Sequence, residues 1–336
     1  MYFTTLNSFY DIMNYRGMKD YIDYLVLPDR QAYYDAEHRD IPLRLAGFLL
    51  QDKDGNDLRG LSDAIADSAN LVLDIERGER KCLDLDQWKS CVPDGSPFLI
   101  TTRRSNGVKR PAFIICPGGG YVRTSFVNEG TPVQNLLELN GYAAFTLNYT
   151  TNPASYPKPQ MDLLRTCQYI KGHADEYDVD PDRIVFAGFS AGGHLAASAA
   201  GLAETLLPGT RPQGVLLGYP VISLKDSITH EETRENLLKG ARLVTKEASD
   251  RNTLIAELSV ENIVDDDFPP TYCFHCSDDG SVSAGNTSIL ADALDMHDVK
   301  HLCEIYPTGG HGIGLGYGTS AYTWSERMLD FFSMIL

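Results

Sequence analysis

From about residue 110 the chain alternates short, nearly continuous apolar runs with longer segments of helical period. The runs at 112–116, 143–148, 184–188, 214–219, 271–276 and 301–306 predict central strands, since a strand covered by helices on both faces has no solvent side to keep polar. Between them, 132–139, 161–173, 191–204 and 286–296 predict helices. A closing helix is expected over 321–335, where Trp324, Met328, Phe331, Phe332 and Ile335 recur at near-helical spacing. Such alternation is the signature of βαβ units, so the expected fold class is α/β, a doubly wound and mostly parallel sheet. Asp180 before Pro181 predicts a capped short turn that feeds the strand 184–188.

Two stretches stand outside the alternation. Residues 223–258 are charged and helix-prone and fall between two strands, which predicts a helical cap inserted over the C-terminal edge of the sheet, where ligands bind in such folds. Residues 1–95 are tyrosine-rich and acidic, with helical stretches such as 11–27 and no chemical motif. They are read as an N-terminal extension that packs on the main unit or joins copies into a homo-oligomer, in preference to a substrate lid. The expected division is thus 1–95 for the extension and 96–336 for the catalytic unit. No internal repeat or low-complexity segment interrupts it.

Composition narrows the classes. With 336 residues, of which 43% are hydrophobic, there is material for one large buried core. The formal charge of -17 repels phosphate backbones and anionic membrane surfaces, so neither nucleic acid nor membrane is an expected partner, and a neutral or cationic small molecule suits it better. The first residues lack the basic start and apolar run of a signal peptide, and no apolar stretch approaches the roughly 18 residues of a membrane helix. Seven cysteines are scattered, several inside strand-like runs (Cys116, Cys273, Cys303), which reads as buried free thiols in a reducing cytoplasm.

The chemistry begins at Gly188-Phe189-Ser190-Ala191-Gly192. An apolar strand precedes it and a small-residue helix follows, so Ser190 falls on a sharp strand-to-helix turn, with glycines where backbone segments come close. A serine hydroxyl needs a histidine base and an orienting carboxylate. On such a sheet the chain order is serine, acid, histidine, the last two just past later strands. The strand 271–276 runs into Ser277-Asp278-Asp279, and the strand 301–306 into Pro307-Thr308-Gly309-Gly310-His311. The candidate set is Ser190, then Asp278 or Asp279, then His311. The run Pro117-Gly118-Gly119-Gly120 follows an early strand, where a glycine-rich oxyanion loop would lie. The expected oxyanion donors are the N–H groups of Gly119, Gly120 and Ala191. A phosphate cradle is the competing use of such glycines, but neither G-x-x-x-x-G-K-[ST] nor G-x-G-x-x-G is present there.

At this point the chain resembles the α/β-hydrolase-fold esterases of the acetylxylan-esterase and hormone-sensitive-lipase-like kind, over about residues 96–336. The resemblance rests on Pro117-Gly118-Gly119-Gly120-Tyr121, Leu147-Asn148-Tyr149, Tyr156-Pro157-Lys158-Pro159, Asp180-Pro181-Asp182-Arg183-Ile184, the elbow with Gly193-His194-Leu195-Ala196, Pro269-Pro270-Thr271 and Gly310-His311-Gly312. It favours Asp279 as the acid, although Ser283 stands where relatives often carry a proline four residues after it. Relatives of the lipase-like branch begin the oxyanion loop with histidine. Pro117 turns the resemblance toward the carbohydrate-esterase branch.

Other signals read as structure. Asp52-Lys53-Asp54-Gly55-Asn56-Asp57 starts like a calcium loop but lacks glycine at its sixth position, and reads as an Asp-Gly turn. His297 and His301 imitate a zinc-protease pair but span a helix end and a strand start. Cys273 and Cys276 have metal-pair spacing, yet along a strand they point to opposite faces. His194 is assigned to packing, and Tyr121 and Tyr149 are candidate pocket residues. The expectation is a serine carboxylesterase acting on small acyl esters, in particular a deacetylase of acetylated sugars or xylo-oligosaccharides, needing no cofactor or metal. A short-chain lipase-like esterase and a peptidase of the same fold would use the same three residues. A non-catalytic receptor would be expected to lack one of them.

Overall fold

A computed structural model describes residues 2–15, 17–21, 40–49, 59–103, 105, 107–239, 241 and 250–336. The turn expected at 52–57, residues 22–27 of the helical stretch 11–27 and residues 242–249 of the expected cap lie outside them.

Eight strands form one sheet: β1 (Cys82–Asp84), β2 (Phe98–Ile100), β3 (Arg110–Cys116), β4 (Ala143–Asn148), β5 (Val179–Phe189), β6 (Gly214–Gly218), β7 (Thr271–Cys276) and β8 (His301–Tyr306). Their order is β1-β2-β4-β3-β5-β6-β7-β8. The six strands from β4 to β8 run parallel, and β1 and β2 extend the β4 edge in antiparallel fashion. All residues of β4, β6 and β7 are buried, which is why their sequence shows no alternation.

Alternation is nevertheless present in where the side chains point. Ile114, Phe145 and Phe186 belong to one core layer, closed by the helices Lys158–Gly172, Ala191–Gly201 and Gly285–Met296. Phe113, Val185 and Ala187 face the other way, onto a layer closed by the helices Thr131–Leu139 and Trp324–Ser333. The sheet is doubly wound.

The fold departs from the sequence expectation in three places. β1 and β2, three residues each, are too short to show a period, and β1 comes from within the stretch read as an extension. Asp180 and Pro181 lie inside β5 rather than in a turn before it. Pairing with β3 jumps there from Arg110↔Val179 to Ala112↔Ile184, so the missing Pro181 N–H falls where the ladder is irregular. The elbow helix ends at Gly201, where a side chain would run into Ile263.

The N-terminal helices Phe9–Met13, Leu43–Leu49 and Arg59–Glu76 build a small core of their own around Phe9, Ile12, Leu43, Ile65 and Val72. A sealed ion-pair network ties it to the sheet unit. Arg80 meets Glu138 through two nitrogens at 2.6 Å and Asp74 at 3.0 Å. The paired, bidentate geometry is what makes such burial of charge tolerable.

Candidate active site

The elbow is a problem of space. A Cβ on Gly188 would sit 2.0 Å from the Gly192 carbonyl oxygen, and one on Gly192 would sit 2.1 Å from that of Cys116. Ser190 adopts φ 55°, ψ −122°, a conformation that side chains avoid and that costs on the order of 1–3 kcal/mol. Its surroundings impose it: the Ser190 N–H donates to Gly218 O at 2.9 Å, and its carbonyl accepts from Gly193 N–H at 3.0 Å and Val221 N–H at 3.1 Å.

The Ser190 hydroxyl lies 2.8 Å from His311 Nε2, and His311 Nδ1 lies 2.7 Å from Asp279 Oδ2. A carboxylate only accepts, so Nδ1 carries the proton and Nε2 is left to accept from Ser190. Asp279 Oδ1 accepts the Ser281 and Val282 N–H groups, each at 2.8 Å. Oδ2 also receives His275 Nε2 at 3.1 Å. Burial acts to raise the Asp279 carboxyl, but the hydrogen bonds from His275 and His311, the His311 charge and the Val282 N–H outweigh it and hold the group far below the usual carboxylate range. Asp278 has another task. Its Oδ1 accepts the Gly309 and Gly310 N–H groups, both at 2.9 Å, and so fixes the loop that carries His311.

Above β3 the glycine loop presses against the serine. A Cβ on Gly118 would fall 2.7 Å from both Ser190 Cβ and Phe189 O, and one on Gly119, at φ +126°, would fall 2.3 Å from Arg123 O. Among the described residues the N–H groups of Gly119, Gly120 and Ala191 meet no protein acceptor, whereas the Gly118 N–H is taken by Glu129 at 2.6 Å. Tyr121 and Tyr149 do not line a pocket. Both are buried, the Tyr149 hydroxyl donates to Pro117 O at 2.7 Å, and the Tyr121 hydroxyl meets His194 Nδ1 at 3.0 Å, so they hold the loop from beneath. His194 is a packing residue whose Nε2 donates to Leu258 O at 2.8 Å. Burial pushes its pKa down to about 4 and keeps it neutral.

The expected cap contributes the helices Glu231–Leu238 and Arg251–Leu258. Its first helix meets the glycine loop, where Asn236 Nδ2 donates to Gly120 O at 3.0 Å and Glu232 approaches Gly120 from outside. His230, at the start of that helix, has its pKa lowered by burial and by the charge of His311.

Sequence reasoning missed His230, Glu232, Asn236, His275, Glu129 and Tyr219. Only His275 carried a usable signal, since it lies on the strand that delivers Asp279. Among the described residues all seven cysteines are free, with Cys91 and Cys303 half-buried rather than sealed. Among the described residues no group of three or more His, Cys, Asp or Glu could hold a metal ion, and no helix is long and apolar enough to cross a membrane.

A hydroxyl bonded to an imidazole that is itself oriented by a buried carboxylate is an arrangement suited to nucleophilic acyl transfer. The chain also has known relatives. The chain is 30% identical over 241 residues to endo-1,4-beta-xylanase B of Butyrivibrio fibrisolvens, covering 68% of this chain and 36% of that protein. It is 29% identical over 226 residues to the acetylxylan esterase of Xylanibacter ruminicola, covering 66% of this chain and 45% of that protein. It thus spans less than half the length of these two relatives. A crystal structure of an acetyl ester-xyloside bifunctional hydrolase from Caldicellulosiruptor lactoaceticus superposes with a TM-score of 0.65 at 32% identity, over 76% of this chain and 96% of that one. The BD-FAE family model matches residues 100–294. The chain therefore belongs to the BD-FAE family, on an α/β-hydrolase fold.

Proposed function

We propose that the protein is a serine carboxylesterase that removes acetyl groups from acetylated sugars or xylo-oligosaccharides. The observation that carries the reading is the unbroken line from Ser190 Oγ through the His311 imidazole to Asp279 Oδ2, with links of 2.8 and 2.7 Å. In the proposed mechanism His311 Nε2 takes the Ser190 proton as Oγ attacks the ester carbonyl, and Asp279 stabilises the imidazolium that forms. The N–H groups of Gly119, Gly120 and Ala191 receive the oxyanion. His311 then protonates the departing alkoxide, leaving an acetyl group on Ser190. Water activated by the same imidazole completes the cycle.

The sugar half of the proposal is supported by the likeness to proteins named for xylan and acetyl esters. An acidic chain, at -17, also suits an uncharged polyol better than an anionic alcohol. Free thiols throughout the described residues support a reducing compartment, and we place the enzyme in the cytoplasm.

The test is a substrate panel: acetate release from acetylated xylo-oligosaccharides, and kcat/KM for 4-nitrophenyl esters of increasing acyl length. The reading expects acetate release from the sugars and a kcat/KM that is highest for acetyl and falls steeply by octanoyl. A maximum at octanoyl would favour a lipase-like enzyme. Amide hydrolysis at rates comparable with ester hydrolysis would favour a peptidase.

A further inference from the structure

A second carboxylate lies behind the proposed triad, and the acyl-transfer steps make no use of it. Glu129 belongs to the π-helical turn Phe126–Gly130, which precedes the helix Thr131–Leu139. Turns of this kind are rare and concentrate at functional sites. The turn divides its residues between two environments. Phe126 enters a small core with Leu71, Phe98 and Ile100, and Val127 enters the core of the N-terminal helices. Asn128 and Glu129 face the site instead.

Each oxygen of Glu129 reaches a different loop. Oε2 accepts the Gly118 N–H at 2.6 Å, and Gly118 is the glycine packed against Ser190 Cβ. Oε1 accepts the Tyr219 hydroxyl at 2.9 Å, and that hydroxyl in turn accepts the Gly314 N–H at 3.0 Å, in the loop carrying His311. The Tyr219 ring stands edge-on to the His311 imidazole, with centroids 4.9 Å apart. Tyr219 is itself held at φ 37°, a left-handed conformation uncommon for a bulky residue. Asn128 Nδ2 adds a bond to Gly312 O. One buried turn therefore sets the serine side and the histidine side of the site relative to each other.

Resting on the esterase reading, we propose that Glu129 is a positioning residue: its carboxylate registers the glycine loop against Ser190 and anchors the His311 loop through Tyr219. Burial raises the Glu129 carboxyl, while the His311 charge and the two hydrogen bonds oppose that rise. Acceptance at both oxygens matches an ionised carboxylate. Among the described residues His311 also meets Asp279 from the turn after β7 and the Tyr219 ring past the end of β6, with His230 at the start of the cap helix near enough to feel its charge. Asp278 holds the backbone of its loop.

The test compares wild type, Ser190→Ala, Glu129→Gln and Tyr219→Phe in hydrolysis of 4-nitrophenyl acetate, with near-UV circular dichroism to establish folding. Glu129→Gln keeps the shape but loses the charge and one acceptor. It is expected to lower kcat about ten- to a hundredfold with KM within about threefold. Tyr219→Phe keeps the bond from Gly118 and loses only the link to the His311 loop, so it should lose several-fold in kcat, less than Glu129→Gln, with KM again within about threefold. Wild-type kcat in Glu129→Gln, or a KM that rises in proportion to the fall in kcat, overturns the inference. Should Glu129→Gln fail to fold, Tyr219→Phe decides, and wild-type kcat there overturns it. Turnover retained in Ser190→Ala overturns the esterase reading itself, which separates the two failures.

Discussion

The Ser190 elbow and the His311 loop both lift a side chain above the carboxyl ends of parallel strands, and they do so by opposite means. The elbow is sealed and rigid because backbone meets backbone: there is no room for a Cβ at Gly188 or Gly192. The His311 loop is glycine-rich for another reason. Gly310 and Gly312, at φ +68°, have nothing within 4 Å of an added Cβ, so these positions need left-handed backbone rather than space. Its position comes from side chains elsewhere in the chain, namely Asp278 on Gly309 and Gly310, Asn128 on Gly312 and Tyr219 on Gly314. The nucleophile is placed by packing and the base by long-range hydrogen bonds. Substitutions in the two regions should therefore fail in different ways.

Short of removing the nucleophile itself, the largest expected effect belongs to the joint between them. Asp279→Asn should fold and yet lose roughly 10³–10⁴ in kcat for 4-nitrophenyl acetate, because an amide at that position no longer fixes the imidazole tautomer. The depressed Asp279 pKa adds a pH signature. Its stabilisation is fully present above the ordinary carboxylate range and is lost only as pH falls through the lower folded value. Urea titrations should accordingly show the stability gap between wild type and the Asn variant closing only in strong acid. A gap that closes between about pH 7 and 5 would contradict the assignment.

Next in size is Gly188→Ala. A methyl 2.0 Å from the Gly192 carbonyl oxygen forces the elbow apart, so a loss of roughly 3 kcal/mol or more in unfolding free energy, or no folded protein, is expected from urea denaturation. Wild-type stability would mean that the elbow is looser than described. Asp278→Asn acts on the other region. Loosening the loop should lower kcat about tenfold with little change in the melting temperature, so it falls well short of Asp279→Asn. The reverse ranking of the two aspartates would move the acid to Asp278. Smallest is Gly310→Ala, where only backbone strain opposes the methyl. Calorimetry should find a loss of about 1 kcal/mol, well below that of Gly188→Ala.

The same contrast explains what the sequence made legible. The central parallel strands β4, β6 and β7 showed as apolar runs because all of their residues are buried. Ser190 showed because the close approach of its backbone writes glycines next to it. His311 and the Asp278-Asp279 pair showed because each follows directly on a strand. Glu129, Tyr219 and His230 left no such trace, because the partners that tie them to the site, Glu129 with Tyr219 and His230 with His311, lie about 80 or more positions apart in the chain. β1 and β2 were missed because three residues carry no period. Pro181 was misread because an irregular register with β3 lets a proline sit inside a strand. Tyr121 and Tyr149 were candidate pocket residues, whereas they are buried and their hydroxyls find partners beneath the glycine loop.

The most direct test of the central claim is the steady-state rate of 4-nitrophenyl acetate hydrolysis by Ser190→Ala, a variant that removes only the hydroxyl bonded to His311 at 2.8 Å. With circular dichroism and melting temperature matching wild type, turnover should fall by roughly 10⁶-fold, to background. A folded Ser190→Ala protein that hydrolyses the ester at the wild-type rate would contradict the account.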